Sequence, residues 1–179
     1  YSMTKLLVLD IDQTLVDSSR RENLSFFRDE LNLEHYKKQK HDNELGIFCD
    51  SLLPLGELLE NFTLSCPYVI VTARDFDFAD FYVLGRLIPN ILVNAQIVIN
   101  RNNCHLFGGD SREQSSGVYK KPIFDWLKSF YDKELVIVDD CPKVLKVARY
   151  SGHSAIDARE LWLLNPCQVG TIVQGEIWR

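Results

Sequence analysis

The chain lacks the features that mark several large protein classes. Its longest apolar runs, such as Leu6 to Leu9 and Ile97 to Ile99, fall far short of bilayer length. No secretory signal is expected, because the first apolar run is short and ends in acids. Positive charge is not in surplus: 20 Lys and Arg face 25 Asp and Glu, for a net charge of −5. That balance argues against a nucleic-acid coat or a membrane-surface protein, while leaving room for a local basic pocket. The five cysteines (Cys49, Cys66, Cys104, Cys141, Cys167) are odd in number and contain no CxxC pair. Neither a zinc site nor a disulfide framework is expected of them, and reduced thiols in a cytoplasmic protein are. The four histidines (His35, His41, His105, His153) show no metal spacing. No internal repeat or low-complexity linker divides the 179 residues, a length that suits one domain, residues 1–179, with a small insertion.

What is present is an alternation of short apolar runs with helical patterns. Thr4 to Leu9, Tyr68 to Val71 and Leu135 to Val138 are continuous apolar runs, as in strands buried on both faces of a parallel sheet. Ile91 to Val93 and Ser154 to Ile156 read as further strands. Helical spacing runs over Leu52 to Phe62, Phe76 to Leu87, Pro122 to Tyr131 and Pro142 to Tyr150. The expected fold is α/β, a Rossmann-like parallel sheet with helices on both faces. Two segments interrupt the alternation. Ser18 to Asn43 is long, charged and expected to be helical, forming a small cap-like insertion over about residues 18–50. Ile97 to Phe107 reads as a hairpin, or a strand with a loop, around Asn100 to Asn103. The tail from Asn165 onward gives no clear pattern.

Functional groups in open parallel sheets gather at the carboxyl ends of strands. Here three strand ends carry them: Asp10 and Asp12, then Thr72, then Asp139 and Asp140. Clustered carboxylates repel one another unless a cation is present, and hard oxygen ligands select Mg²⁺. An aspartate can then attack phosphorus covalently while a second carboxylate handles the proton. Thr72 suits a hydrogen bond to the transferred group. Lys121, opening the helix in YKKPIFDW, is the leading candidate for a charge partner, with Lys120 the near alternative. Arg74, two residues after Thr72, suits a phosphate or a second anionic group, with a surface ion pair as the equal alternative.

These residues resemble the motifs of the haloacid dehalogenase superfamily of phosphatases. Its DxDx(T/V) motif is matched by Asp10-Ile11-Asp12-Gln13-Thr14, its strand-end threonine by Thr72, its lysine by Lys121-Pro122, and its paired acids by Asp139-Asp140. All four follow the family's order between residues 5 and 142. The resemblance implies Asp10 as nucleophile and metal ligand, and Asp12 as acid/base and backbone-carbonyl ligand. It implies Asp140 as third metal ligand, with Asp139 supporting or sharing coordination. Gln13 stands where many members have glycine, and with Arg74 and Lys120 it is a candidate substrate-binding residue. The implied function is a Mg²⁺-dependent phosphomonoesterase acting through an aspartyl-phosphate, with a nucleotide or a nucleic-acid end as leading substrate. Phosphoproteins and sugar phosphates are the alternatives within that chemistry. A non-catalytic phosphoryl-receiving or binding module is the alternative outside it.

Overall fold

The computed structural model describes residues 5–19, 26–27, 30–31, 50–62 and 64–179. Its centre is a five-stranded sheet in the order β7-β6-β1-β8-β9, with every neighbouring pair parallel. These strands are β1 (Leu6–Leu9), β6 (Tyr68–Val71), β7 (Val98–Ile99), β8 (Leu135–Asp139) and β9 (Ser154–Asp157). Side chains alternate across each strand, so continuous apolar runs feed two cores at once. Leu7, Leu9, Ile70, Val136 and Val138 face one core, filled by helices α1 (Pro54–Asn61), α2 (Phe78–Leu87) and α6 (Pro166–Ile177). Leu6, Val8, Val69, Val71 and Ile137 face the other, filled by α4 (Ser116–Tyr131) and α5 (Pro142–Tyr150). The expected α/β sheet with helices on both faces is therefore the fold observed. Among the described residues no helix is long and apolar enough to cross a membrane.

The chain runs from β1 outward through β6 to β7, then returns to β8 on the other side of β1. The topological switch point thus lies between β1 and β8, where ligands of such sheets bind.

Several expectations need correction. Ile91–Asn94 is a short helix (α3), not a strand. Ile91 and Ala95 are buried while Val93 is exposed, and β7 takes the edge of the sheet instead. After β7 the asparagines close a turn, the Asn103 carboxamide oxygen accepting from the Asn100 amide. The chain then enters a 3₁₀ turn at Cys104–Phe107, so of the two expectations for this stretch the strand with a loop is the one observed. Helix α4 begins six residues before Pro122 and runs through it, at the cost of one intrahelical hydrogen bond. Its early start is held by the fully buried Tyr119. The unassigned tail forms α6, opened by a capping box between Asn165 and Gln168, with Val169, Val173 and Ile177 turned to the core.

The insertion leaves and returns through a ribbon in which β2 (Val16–Asp17) pairs antiparallel with β5 (Ser51–Leu52). Within it, β3 (Phe26–Phe27) pairs antiparallel with β4 (Glu30–Leu31), against the helical expectation for that stretch. Apart from Ser18 and Ser19, the remainder of the expected Ser18 to Asn43 helix, with Arg20, Arg21, Lys37, Lys38 and Lys40, lies outside the described residues. Gly56 lets α1 sit directly on the turn that follows Asp12, because a Cβ there would collide with the Leu15 carbonyl oxygen.

His153, at the start of β9, is buried and neither ring nitrogen meets a protein partner. Burial lowers its pKa, and the nearby Lys128 and Lys121 add to the effect against Asp125. A base held neutral in the fold contributes stability at neutral pH that is lost as pH falls below its unfolded pKa of about 6.5. Replacing His153 with leucine should therefore flatten the fall in melting temperature between about pH 7.5 and about pH 5. Thermal melts of both proteins across that range check it.

Candidate active site

At the switch point the end of β1 delivers Asp10 and the end of β8 delivers Asp139 and Asp140. Each of the three offers a carboxylate oxygen, and these oxygens lie within 4.8 Å of one another. Into the cluster comes Lys120 from α4, its ammonium 2.8 Å from Asp10 Oδ1 and 2.6 Å from Asp139 Oδ2, with side chains almost wholly buried. The Thr14 hydroxyl donates to the other Asp10 oxygen at 3.2 Å. The second oxygen of Asp139 accepts the Cys141 amide at 2.9 Å, so Asp139 is committed to lysine and backbone. Asp140 is half-buried at the edge of the same cluster.

Of the two expected lysines, Lys121 leading and Lys120 the near alternative, the structure brings Lys120 into the cluster. Because α4 starts early, both lysines are helical. Lys120 lies on the stripe with Ile123, Phe124 and Leu127 that faces the sheet. One residue on, Lys121 turns to solvent and pairs with Asp125 at 2.9 Å, an exposed i,i+4 contact.

The electrostatics follow from burial. Desolvation, helped by Asp139 and Asp12 and opposed by Lys120, pushes the Asp10 carboxyl up to about 6. Burial disfavours the charge on Lys120, but Asp10 and Asp139 outweigh it and hold the ammonium above the usual lysine range.

Thr72 ends β6 beside β1, fully buried. Its hydroxyl oxygen accepts the Arg74 amide at 3.1 Å, which leaves the hydroxyl proton to donate. Its own carbonyl is held from behind by the Tyr119 hydroxyl at 2.9 Å. The next carbonyl, of Ala73, accepts from Arg101 Nε at 2.7 Å, and the Arg101 guanidinium lies 4.4 Å over the Tyr119 ring.

Asp12 stands apart from the carboxylate cluster. Arg74 grips it with two bonds, Nε to Oδ2 at 2.9 Å and Nη2 to Oδ1 at 2.7 Å, and Ser18 donates to Oδ1 at 2.6 Å. Arg74 also meets Asp50 at 3.0 Å and Asp80 at 3.3 Å. It is thus paired with acids, as the ion-pair alternative had it, but buried rather than at the surface. Gln13 likewise faces protein: its side chain helps hold Asp17, and its carbonyl accepts the Trp162 indole at 2.7 Å. Its φ of 59° explains why glycine suits this turn, since side chains in that region carry strain.

Sequence reasoning named the acids, the threonine and both lysines. It assigned no role to Thr14, although the motif contains it, and none to Ser18, Asp50, Asp80, Tyr119 or Arg101. Only Thr14 and Tyr119 left a signal: four residues after Asp10, and adjacent to the lysine pair.

The fold is similar to those of a haloacid dehalogenase-like family hydrolase from Streptococcus pneumoniae, CbbY from Rhodobacter sphaeroides and the haloacid dehalogenase domain of effector Lem4 from Legionella pneumophila. The first is 14% identical with a TM-score of 0.59 over 97% of this chain and 100% of that one. The second is 11% identical with a TM-score of 0.54, over 87% and 86%. The third is 12% identical with a TM-score of 0.50, over 98% and 95%. These likenesses show a haloacid dehalogenase-like fold. Within it, the family model of bacteriophage T5 5′-deoxynucleotidase matches residues 1–176, and the chain belongs to that family. No curated protein sequence matches.

The two lysines separate cleanly by experiment. Lys120→Met leaves two buried carboxylates uncompensated and should cost about 3–5 kcal/mol of stability. Lys121→Met removes an exposed pair and should change stability by less than about 1 kcal/mol. Urea unfolding of the two variants, with phosphate release measured alongside, reads both; only Lys120→Met should lose turnover.

Proposed function

We propose that the chain is a Mg²⁺-dependent phosphomonoesterase that hydrolyses a deoxynucleoside 5′-monophosphate through a phosphoryl group carried on Asp10. The observation that carries this reading is the buried Lys120 shared by Asp10 and Asp139 beside Asp140. The family's description as a 5′-deoxynucleotidase supports the substrate class.

The donor set fits a hard dication. Three carboxylates converge while one ammonium meets two of them, and Asp10 is pushed up to about 6 by burial and its acidic neighbours. Asp10, Asp140 and the main-chain carbonyl of Asp12 would hold Mg²⁺, with Asp139 supporting through Lys120. Bound there, Mg²⁺ would offset the phosphate charge and so admit an anionic ester to an anionic nucleophile.

The chain's own groups supply the rest. Lys120 and Thr14 hold the two oxygens of Asp10, fixing the carboxylate for in-line attack on phosphorus. As the Asp10 O–P bond forms and the ester P–O bond breaks, the Asp12 carboxyl gives its proton to the leaving alkoxide. The Thr72 hydroxyl and the Lys120 ammonium meet charge on the transferred oxygens. Asp12, now ionised, takes a proton from water as that water attacks phosphorus. The Asp10 O–P bond breaks and inorganic phosphate leaves.

Release of inorganic phosphate from a panel of deoxy- and ribonucleoside monophosphates, phosphorylated oligonucleotides, sugar phosphates and phosphopeptides tests the proposal. Mg²⁺-dependent turnover should favour deoxynucleoside 5′-monophosphates and vanish in Asp10→Asn. Preference for another member of the panel would overturn the substrate, and activity surviving Asp10→Asn would overturn the nucleophile.

Metal binding carries its own pH signature. With its folded pKa raised, Asp10 favours the fold below its unfolded value, and that contribution is lost as pH rises through about 6. Mg²⁺ binds the ionised form, so its affinity should fall up to about tenfold per pH unit below that point. The rise in melting temperature produced by Mg²⁺ should therefore shrink between about pH 7 and about pH 5.

A further inference from the structure

Asp12 is built into a buried charged knot. Its two oxygens take both arms of Arg74, at 2.9 and 2.7 Å, a bidentate pairing that fixes the plane of the carboxylate as well as its position. Arg74 cannot shift freely to follow it. Its guanidinium is tied to Asp50 at 3.0 Å and to Asp80 at 3.3 Å. Asp80 is itself locked, because its other oxygen accepts the Asp77 amide in the capping box that opens α2. The Arg74 amide is held by the Thr72 hydroxyl oxygen and its carbonyl by the Arg101 amide. Arg74 is therefore a fixed post and Asp12 the group it aims.

The remaining members of the knot have a particular location. Ser18, which donates to Asp12 Oδ1 at 2.6 Å, directly follows β2, where the chain leaves the body of the fold for the insertion. Asp50 directly precedes β5, where it returns. Both stems of the insertion thus reach the same carboxylate, Ser18 by direct contact and Asp50 through the arginine.

We propose that Arg74 is a positioning residue for the proton transfer at Asp12, and that Ser18 directly and Asp50 through Arg74 join the stems of the insertion to that carboxylate. This rests on the reading of Asp12 as the acid and base of the reaction. The roles are distinct: Arg74, buried and bound to Asp12, Asp50 and Asp80, acts only through the carboxylate it positions.

The leaving group gives a readout that a merely structural role would not move. An alkoxide, as released from a nucleoside 5′-phosphate, needs the proton as it departs, whereas p-nitrophenolate departs without it. Misplacing the acid should therefore slow the nucleotide far more than p-nitrophenyl phosphate. The kcat/KM of wild type, Asp12→Asn, Arg74→Lys, Asp50→Asn and Ser18→Ala would be measured on both esters with Mg²⁺ present, because this ratio reports the steps through leaving-group departure and not the later hydrolysis of the intermediate that both esters share. Arg74→Lys keeps the charge but loses the fork, and should reduce nucleotide turnover at least about tenfold more than aryl ester turnover. Ser18→Ala, which alters no charge and guards against a folding failure in the arginine variant, should show the same selectivity at about threefold or more. Asp50→Asn should follow Ser18→Ala. If Asp12→Asn is selective while Arg74→Lys and Ser18→Ala slow both esters equally, or neither, the positioning role is wrong and the acid/base reading stands. If Asp12→Asn itself slows both equally, the acid/base reading and this inference fall together.

Discussion

A lysine ammonium sealed between Asp10 and Asp139 is the interaction on which the site depends. Two carboxylates brought that close and taken out of water repel each other, and each alone would favour its protonated form. Lys120 changes the balance: it satisfies one oxygen of each acid, at 2.8 and 2.6 Å, and is held charged by them in return. The compensation is incomplete. Burial first, then Asp139 and Asp12, keep the Asp10 carboxyl pushed up to about 6 against the lysine. The proposed dication and phosphate would complete that balance.

The sheet makes this knot possible. Strands β1 and β8 are neighbours in register, so the residues after Leu9 and Val138 emerge side by side although far apart in sequence. β6 lies on the other flank of β1 and brings Thr72 to the same edge. Because β1 is buried on both faces, a shift in its register would carry Asp10 away from Lys120 and expose apolar side chains together. Stability and function thus share one constraint. Behind the edge, α4 contributes consecutive residues with different tasks: Tyr119 steadies the Thr72 carbonyl and Lys120 enters the carboxylate cluster.

Much of this was legible in the sequence, for identifiable reasons. Continuous apolar runs that stop at acids or threonine locate strand ends well, since burial on both faces leaves no other use for such runs. That gave the parallel sheet and the residues at its edge. The leading lysine was misjudged by one position because proline was taken as a helix start. Had the stripe Tyr119, Ile123, Phe124, Leu127 been extended backward, Lys120 would have fallen on its buried side. Ile91 to Val93 misled in a similar way, since three apolar residues cannot distinguish a strand from one helical turn. Arg74 was left between a cation for substrate and a surface ion pair because its partners Asp12, Asp50 and Asp80 lie on three separate segments, and only the fold brings them together.

The stereochemical course at phosphorus tests the central claim most directly. A nucleoside monophosphate made chiral at phosphorus with oxygen isotopes would be hydrolysed in isotopically labelled water. Transfer first to Asp10 and then to water makes two in-line displacements, so the inorganic phosphate should retain configuration. Inversion would mean that water attacks the ester directly, and the buried Asp10–Lys120–Asp139 cluster would then serve as a binding site rather than as the nucleophile.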